Sequence, residues 1–248
     1  MTADHHVSVI IPAMNEAPSI GRVIAEIPAW VDHILVVDNG SSDGTGAVAA
    51  AAGAVVIREP ERGYGAACLA GIAALPETDI VVFLDGDYSD YPEEMGALTA
   101  PIIAGAAEMV IGSRVAGRAE PGSLTPQQVF GNWLACRLMR VFWGVDYSDL
   151  GPFRAIRRDT LEQLDMRDRN YGWTVEMQIK AAIRAVRATE IPVRYRKRIG
   201  ISKVSGTLRG VVGAGTKILW TIFRSAVEWH LGGRRSVATR AETIQKTP

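Results

Sequence analysis

The sequence predicts an α/β fold: a doubly wound, mostly parallel sheet flanked by helices, followed by a C-terminal amphipathic helix. Three observations carry this expectation. Over the first 115 residues, short apolar runs alternate with segments of helical period, the pattern of right-handed β-α-β crossovers. One run, Ile80-Val81-Val82-Phe83-Leu84, is unbroken, as suits a strand covered on both faces. Polar residues gather where the runs end, at the edge where open α/β sheets bind ligands.

In order, residues 8–12 (SVIIP) read as a strand. Ile20, Val23, Ile24 and Ile27 then fall on one face of a helix. Residues 33–38 (HILVVD) form the second strand, and Asp43 is placed to cap the alanine-rich helix that ends near Gly53. Residues 54–59 give the third strand, and 64–75 a helix of small residues. The apolar run at 80–84 is the fourth strand. Residues 92–105 read as a helix with Pro92 in its first turn, and 108–114 as the fifth strand.

The second half is less regular. Residues 115–128 read as a loop, 129–144 as a helix, and 147–158 as a loop entering a short strand. Short and long helices are expected at 160–164 and 173–187, a strand at 190–198, and a polar loop at 200–209. Residues 211–230 are apolar around much of a helix, interrupted by Lys217, Arg224 and Glu228. The expected organisation is one domain over residues 1–232: a regular half (1–115), a less regular half (116–210) and the amphipathic helix (211–230). A tail without fixed structure follows at 233–248.

Lysine plus arginine and aspartate plus glutamate number 27 each. No global charge pulls the chain toward nucleic acid, and none is expected as a partner. Cys68 and Cys136 lie in apolar surroundings, which suits buried thiols in a reducing compartment rather than a disulfide or zinc site. An apolar strand begins within seven residues of the start and no run of 18 uncharged apolar residues occurs. Neither a signal peptide nor a transmembrane helix is expected.

The strand ends carry the chemistry. They bring Pro12, Asn15 and Glu16, then Asp38, Arg58 and Glu59, then Asp85-Gly86-Asp87, then Gly112-Ser113-Arg114 to one edge. Asp85 and Asp87 point the same way on extended backbone. Such a pair suits Mg²⁺ or Mn²⁺ with coordination sites left for phosphate oxygens. Gly86 leaves room for close approach. The competing reading is a helix cap and an Asp-Gly turn.

Other patterns read more plainly. RGYGAAC lacks the third small residue of a dinucleotide fingerprint, where Cys68 stands. Arg194, Arg196 and Arg198 alternate along one strand face, as on a solvated edge. Trp133, Trp143 and Trp173 read as core. The four histidines show no metal-ligand spacing.

Seven motifs follow in sequence: VSVIIPAMNE, VVDNGSSDGT, RGYGAACLAGI, LDGD, IGSR, DLGPFRAIRR and RIGISK. In these, from residue 7 to about 205, the chain resembles the family 2 glycosyltransferases of the GT-A fold. Within them it looks like the branch that makes dolichol- or polyprenyl-phosphate sugars. The resemblance implies inverting transfer of a hexose from a nucleotide-diphosphate sugar with Mg²⁺ or Mn²⁺, with residues 1–115 as the nucleotide-binding half and 116–210 as the acceptor-binding half. It places Pro12, Asn15, Glu16 and Asp38 at the base and ribose, Gly63 and Gly65 along the nucleotide pocket, and Asp85 and Asp87 on the metal. It places Arg114, Arg198 and Lys203 near phosphate, and Glu176 near the acceptor, where a hydroxyl acceptor would need a general base.

The expected donor is UDP-glucose or GDP-mannose. The expected acceptor is polyprenyl phosphate, with a soluble hydroxyl compound as the alternative. A catalytically silent nucleotide-binding partner of a membrane complex is the reading from another class. The amphipathic helix is suited to a membrane surface, to its own domain, or to a second copy of the chain. The implied location is the cytoplasm, peripherally at the inner face of the membrane.

Overall fold

A computed structural model describes residues 5–200 and 208–231. Lys203 and the tail expected from residue 233 lie outside them. The strands are β1 (Val7–Ala13), β2 (His33–Asp38), β3 (Val55–Arg58), β4 (Ile80–Phe83), β5 (Met109–Ala119), β6 (Arg154–Arg157) and β7 (Ala188–Tyr195). They form one sheet in the order β3-β2-β1-β4-β6-β5-β7. Only β6 runs against its neighbours, β4 and β5; the other pairings are parallel. The mixed α/β architecture and mostly parallel sheet therefore match the expectation.

The helices are α1 (Ala17–Ala25), α2 (Thr45–Ala51), α3 (Tyr64–Ala73), α4 (Met95–Ile103), α5 (Pro126–Trp143), α6 (Arg158–Leu164), α7 (Trp173–Ile183) and α8 (Leu208–Leu231). Alternation along β1 sorts the core into two layers. Val9 and Ile11 face α1 and α4 through Ile20, Val23, Met95 and Leu98. Ile10 faces the other layer, with Cys68 of α3 and Trp173 and Met177 of α7. Both cysteines are buried thiols.

A third apolar cluster joins α5, α7 and α8 around Met139, Val175, Ile179 and Ile222. Ile222 is fully buried, a placement that contributes roughly 1.5–3 kcal/mol. The amphipathic helix thus packs one face on its own domain. No helix among the described residues is long and apolar enough to cross a membrane.

Several local expectations change. β5 does not stop at 114; it continues to Ala119 along β7, with a register shift between Ser113 and Arg118. Gly117 permits this, since a Cβ there would lie 1.9 Å from the Val193 carbonyl oxygen. β7 ends at Tyr195, so Arg198 leaves the strand face expected for it. α2 is preceded by Gly44 at φ 87°, with no side-chain cap. Asp43 instead accepts the N–H groups of Thr45 and Ala17, joining the starts of α2 and α1. Residues 92–94 form a 3₁₀ turn ahead of α4. Trp133 is 58% exposed rather than core, whereas Trp173 is 1% exposed.

Candidate active site

The C-terminal ends of β1, β2 and β4 open onto a cavity of about 320 Å³. Pro12, Glu16, Gly63, Asp85, Gly86, Asp87 and Arg198 line it, with Asn39, Arg62, Tyr64, Asn170 and Tyr171. Asp85 and Asp87 follow β4 directly, so a fully buried strand fixes their position. Gly86 turns inward: a Cβ there would meet Ile20, Ala13 and Ile11 at 3.4–3.5 Å. Its small size therefore suits core packing as much as ligand approach.

Each carboxylate is held. Asp85 Oδ1 accepts the Tyr64 hydroxyl at 3.1 Å. Asp87 Oδ1 accepts the Ser89 N–H at 2.9 Å and its hydroxyl at 2.5 Å. Arg198 bridges Asp87 Oδ2 at 3.0 Å and Glu16 Oε1 at 3.3 Å. It reaches them because the segment after β7 runs beside the segment after β4. The Ile199 N–H donates to the Asp87 carbonyl, and that of Arg196 to the Ser89 carbonyl. Arg196 fastens the two segments: its guanidinium stacks on the rings of Tyr88 and Tyr91, and it pairs with Glu26 at 2.6 Å.

The site carries more acid than base. Burial, followed by the charge of Asp87, pushes the Asp85 carboxyl up to about 7 against the pull of Arg198 and Tyr64. Asp90 is buried close to the pair, 1% exposed. Burial and the charges of Asp85 and Asp87 hold its carboxyl well above the usual range. Such a set favours a bound cation.

The other candidates are placed differently. Asn15 and Asp38 flank the cavity without lining it. Asn15 Oδ1 accepts the Ser42 N–H, and Asp38 Oδ1 accepts that of Ser41. Asn39, beside Asp38, lines the cavity and ties three segments together. It donates to the carbonyls of Glu59 and Glu61 and accepts the Gly63 N–H. Gly63 and Gly65 serve a close backbone approach. A Cβ at Gly63 would lie 2.0 Å from the Arg169 carbonyl oxygen, and one at Gly65 1.9 Å from that of Asp168.

Arg114, expected near phosphate, is committed to Asp149: its Nε and Nη2 donate to the two carboxylate oxygens at 2.8 and 2.7 Å. Asp149 is fully buried, and the pair lines a second cavity, of about 220 Å³, beside α5 and α8. Glu176, expected as a base, is also committed. It accepts the N–H groups of Arg167 and Asp168 and pairs with Lys180 at 2.7 Å. Its carboxylate holds the loop between α6 and α7 and lines no part of the cavity.

The chain matches the model of glycosyl transferase family 2 over residues 8–165. It belongs to that family. It is 39% identical over 209 residues to an uncharacterised glycosyltransferase of Mycobacterium tuberculosis, covering 83% of this chain and 93% of that one. It is 32% identical to the polyprenol monophosphomannose synthase of Mycolicibacterium smegmatis, covering 91% and 87%. Among solved structures, glucosyl-3-phosphoglycerate synthase of M. tuberculosis, in complex with Mn²⁺, UDP and glucosyl-3-phosphoglycerate, superposes with a TM-score of 0.72. That likeness spans 91% of this chain and 81% of the other at 23% identity, and shows the shared GT-A fold.

In this glycosyltransferase several site residues went unread in the sequence. Tyr64 and Asn39 stand inside motifs that were visible, but their partners are distant. Asn170 and Tyr171 carried no signal, because their place depends on how α7 seats the preceding loop.

Proposed function

We propose that this chain transfers a hexose, with inversion, from UDP-glucose or GDP-mannose to polyprenyl phosphate, using Mg²⁺ or Mn²⁺ held by Asp85 and Asp87. The observation that carries the reading is the acidic pair at the end of β4, facing a cavity with Glu16 and Arg198. Among the described residues no group of three His, Cys, Asp or Glu is arranged to hold a metal. Two carboxylates and an open cavity instead suit an ion that shares its coordination with substrate phosphates. When bound, the ion offsets charge on the leaving diphosphate as a Lewis acid.

The chain's own groups do the rest. Tyr64 and Ser89 orient Asp85 and Asp87. Arg198 offers a planar fork to diphosphate oxygens. Asn170 and Tyr171 wall the donor.

The fate of Glu176 bears on the acceptor. A hydroxyl acceptor needs a base, and this carboxylate is spent on backbone N–H groups. A phosphate acceptor is ionised near neutral pH and needs none. The relative named as a polyprenol monophosphomannose synthase, matched over most of its length, supports the same choice. So do the exposed apolar side chains of two helices that pack together, Phe130 and Trp133 on α5 and Trp220, Phe223 and Val227 on α8. We assign these side chains to the cytoplasmic membrane surface.

The test is transfer of radiolabelled sugar from each donor to polyprenyl phosphate in vesicles, with Mn²⁺, Mg²⁺ or EDTA. A lipid-linked product that disappears with EDTA is expected. Water-soluble product alone would move the acceptor to the hydroxyl class. Nucleotide binding without any transfer would leave a silent binding partner.

A further inference from the structure

The loop at residues 165–172 forms one wall of the cavity through Asn170 and Tyr171. It also seats the first turn of α3, where the Arg169 carbonyl accepts the Ala66 N–H at 2.9 Å. Asp168 sets the loop's shape. Its Oδ1 accepts the N–H groups of Asn170 at 2.8 Å and Gly172 at 3.1 Å. Its Oδ2 meets Lys217 Nζ of α8 at 2.8 Å, and its side chain is 7% exposed. The loop's own cations are engaged elsewhere, Arg167 with Asp165 and Arg169 with Glu61. α8 touches the same loop again at Thr221, whose hydroxyl lies 2.8 Å from where a Cβ on Gly172 would stand.

We infer that Lys217 is a positioning residue for the donor: by clamping Asp168 it holds Asn170 and Tyr171 in the cavity wall. Lys217 lines no part of that cavity and so acts only through the loop. A carboxylate this buried, left without its cation, draws in water. That change loosens the two N–H contacts that fix Asn170 and Gly172. The acidic pair at the end of β4 is untouched. Donor affinity therefore falls while turnover of bound donor holds. The inference rests on the donor site proposed above, and it makes α8 part of that site's wall.

The test uses the full chain. Calorimetric titration with UDP and with GDP, each in Mn²⁺, is paired with donor KM and kcat for the wild type, Lys217→Met, Lys217→Arg and Glu228→Gln. Lys217→Met is expected to weaken nucleotide binding and raise donor KM about tenfold, a change of ~1.4 kcal/mol, with kcat within about twofold. Lys217→Arg restores most of the affinity, because a guanidinium also pairs with carboxylate. Glu228→Gln, an exposed change on the same helix, leaves both constants alone. A fall in kcat at unchanged KM, or unchanged binding by Lys217→Met, overturns the inference. If Lys217→Met fails to fold, Asp168→Asn decides: its oxygen still accepts the two N–H groups while the ion pair is gone. The same loss of affinity supports the clamp, and wild-type affinity overturns it. A wild type that binds neither nucleotide removes the donor site and this inference with it. A wild type that binds while the variants bind equally well removes the inference alone.

Discussion

The two sides of the sheet are built by different means. From β3 to β4, each strand is followed by its own helix and each strand end delivers a polar residue a few positions later. From β6 to β7 the pairing is less local. β6 enters antiparallel between β4 and β5, β5 outruns its expected end along β7, and α5, α7 and α8 share a separate apolar cluster. The acidic pair belongs to the first side. The groups that balance it or wall it in, Arg198, Asn170 and Tyr171, come from the second. The acidic pair proposed to react is thus fixed by near neighbours in the chain and its surroundings are completed by distant ones. Changes on the first side should strike chemistry, and changes on the second should strike positioning.

The largest effect tests the first half of that statement. Asp87→Asn keeps the shape and the Ser89 contacts but removes the charge that meets Arg198. We expect transfer to fall by at least ~10²-fold, the scale of losing one preorganised electrostatic group. The circular dichroism spectrum is expected to be unchanged, because β4 is held by its core contacts. Comparable turnover in the variant would remove the acidic pair from the reaction.

Gly65→Ala strikes the seam between the two sides. The new methyl would stand 1.9 Å from the Asp168 carbonyl oxygen, so α3 or the loop must move. Overpacking of this kind costs about 1–3 kcal/mol, and each kcal/mol lowers Tm by roughly 2–4 °C in a chain of this size. Donor KM is expected to rise with it. A variant with wild-type Tm would show that the loop yields freely, and that the seam positions nothing.

Glu176→Gln separates the two roles open to that residue. As loop support, it loses the charge facing Lys180 and weakens its hold on two N–H groups. The expected cost is about 1–3 kcal/mol, read as a lower Tm with kcat changed by less than about threefold. As a general base, it would lose ~10²–10⁴-fold in kcat at unchanged Tm. The first outcome keeps the second side a matter of positioning.

These tests also mark what was legible in the sequence. β1, β2 and β4 are legible because their side chains are apolar for a local reason, burial within the sheet, and because the helix after β1 keeps a regular period. The extension of β5 through Val115-Ala-Gly-Arg-Ala could not. Its pairing depends on β7 and on a glycine at 117 that lets two backbones meet. Glu176 was read as chemistry because an acid near an expected acceptor site invites it; the N–H groups it satisfies appear only once the loop is folded. The pairing of Arg114 is hidden for the same reason, since Asp149 reaches it from a loop far along the chain. Asn39 shows the limit from the other direction. The motif was plain, yet Asp38 drew the assignment while its neighbour lines the cavity.

The smallest effect on the folded enzyme concerns the outer face of the second side. Trp133 and Trp220 are 58% and 62% exposed, and an exposed tryptophan contributes little to stability. The double variant Trp133→Ser, Trp220→Ser should change stability by no more than about 0.5 kcal/mol at each site. Its transfer to acceptor dispersed in detergent should stay within about twofold of the wild type. Flotation with phosphatidylglycerol vesicles should nevertheless fall several-fold, since tryptophan favours the membrane–water boundary. If flotation holds while a dimer seen by sedimentation dissociates, the face belongs to a second copy of the chain. Either outcome separates the aromatic surface, expected to govern association, from the acidic strand end, expected to govern transfer.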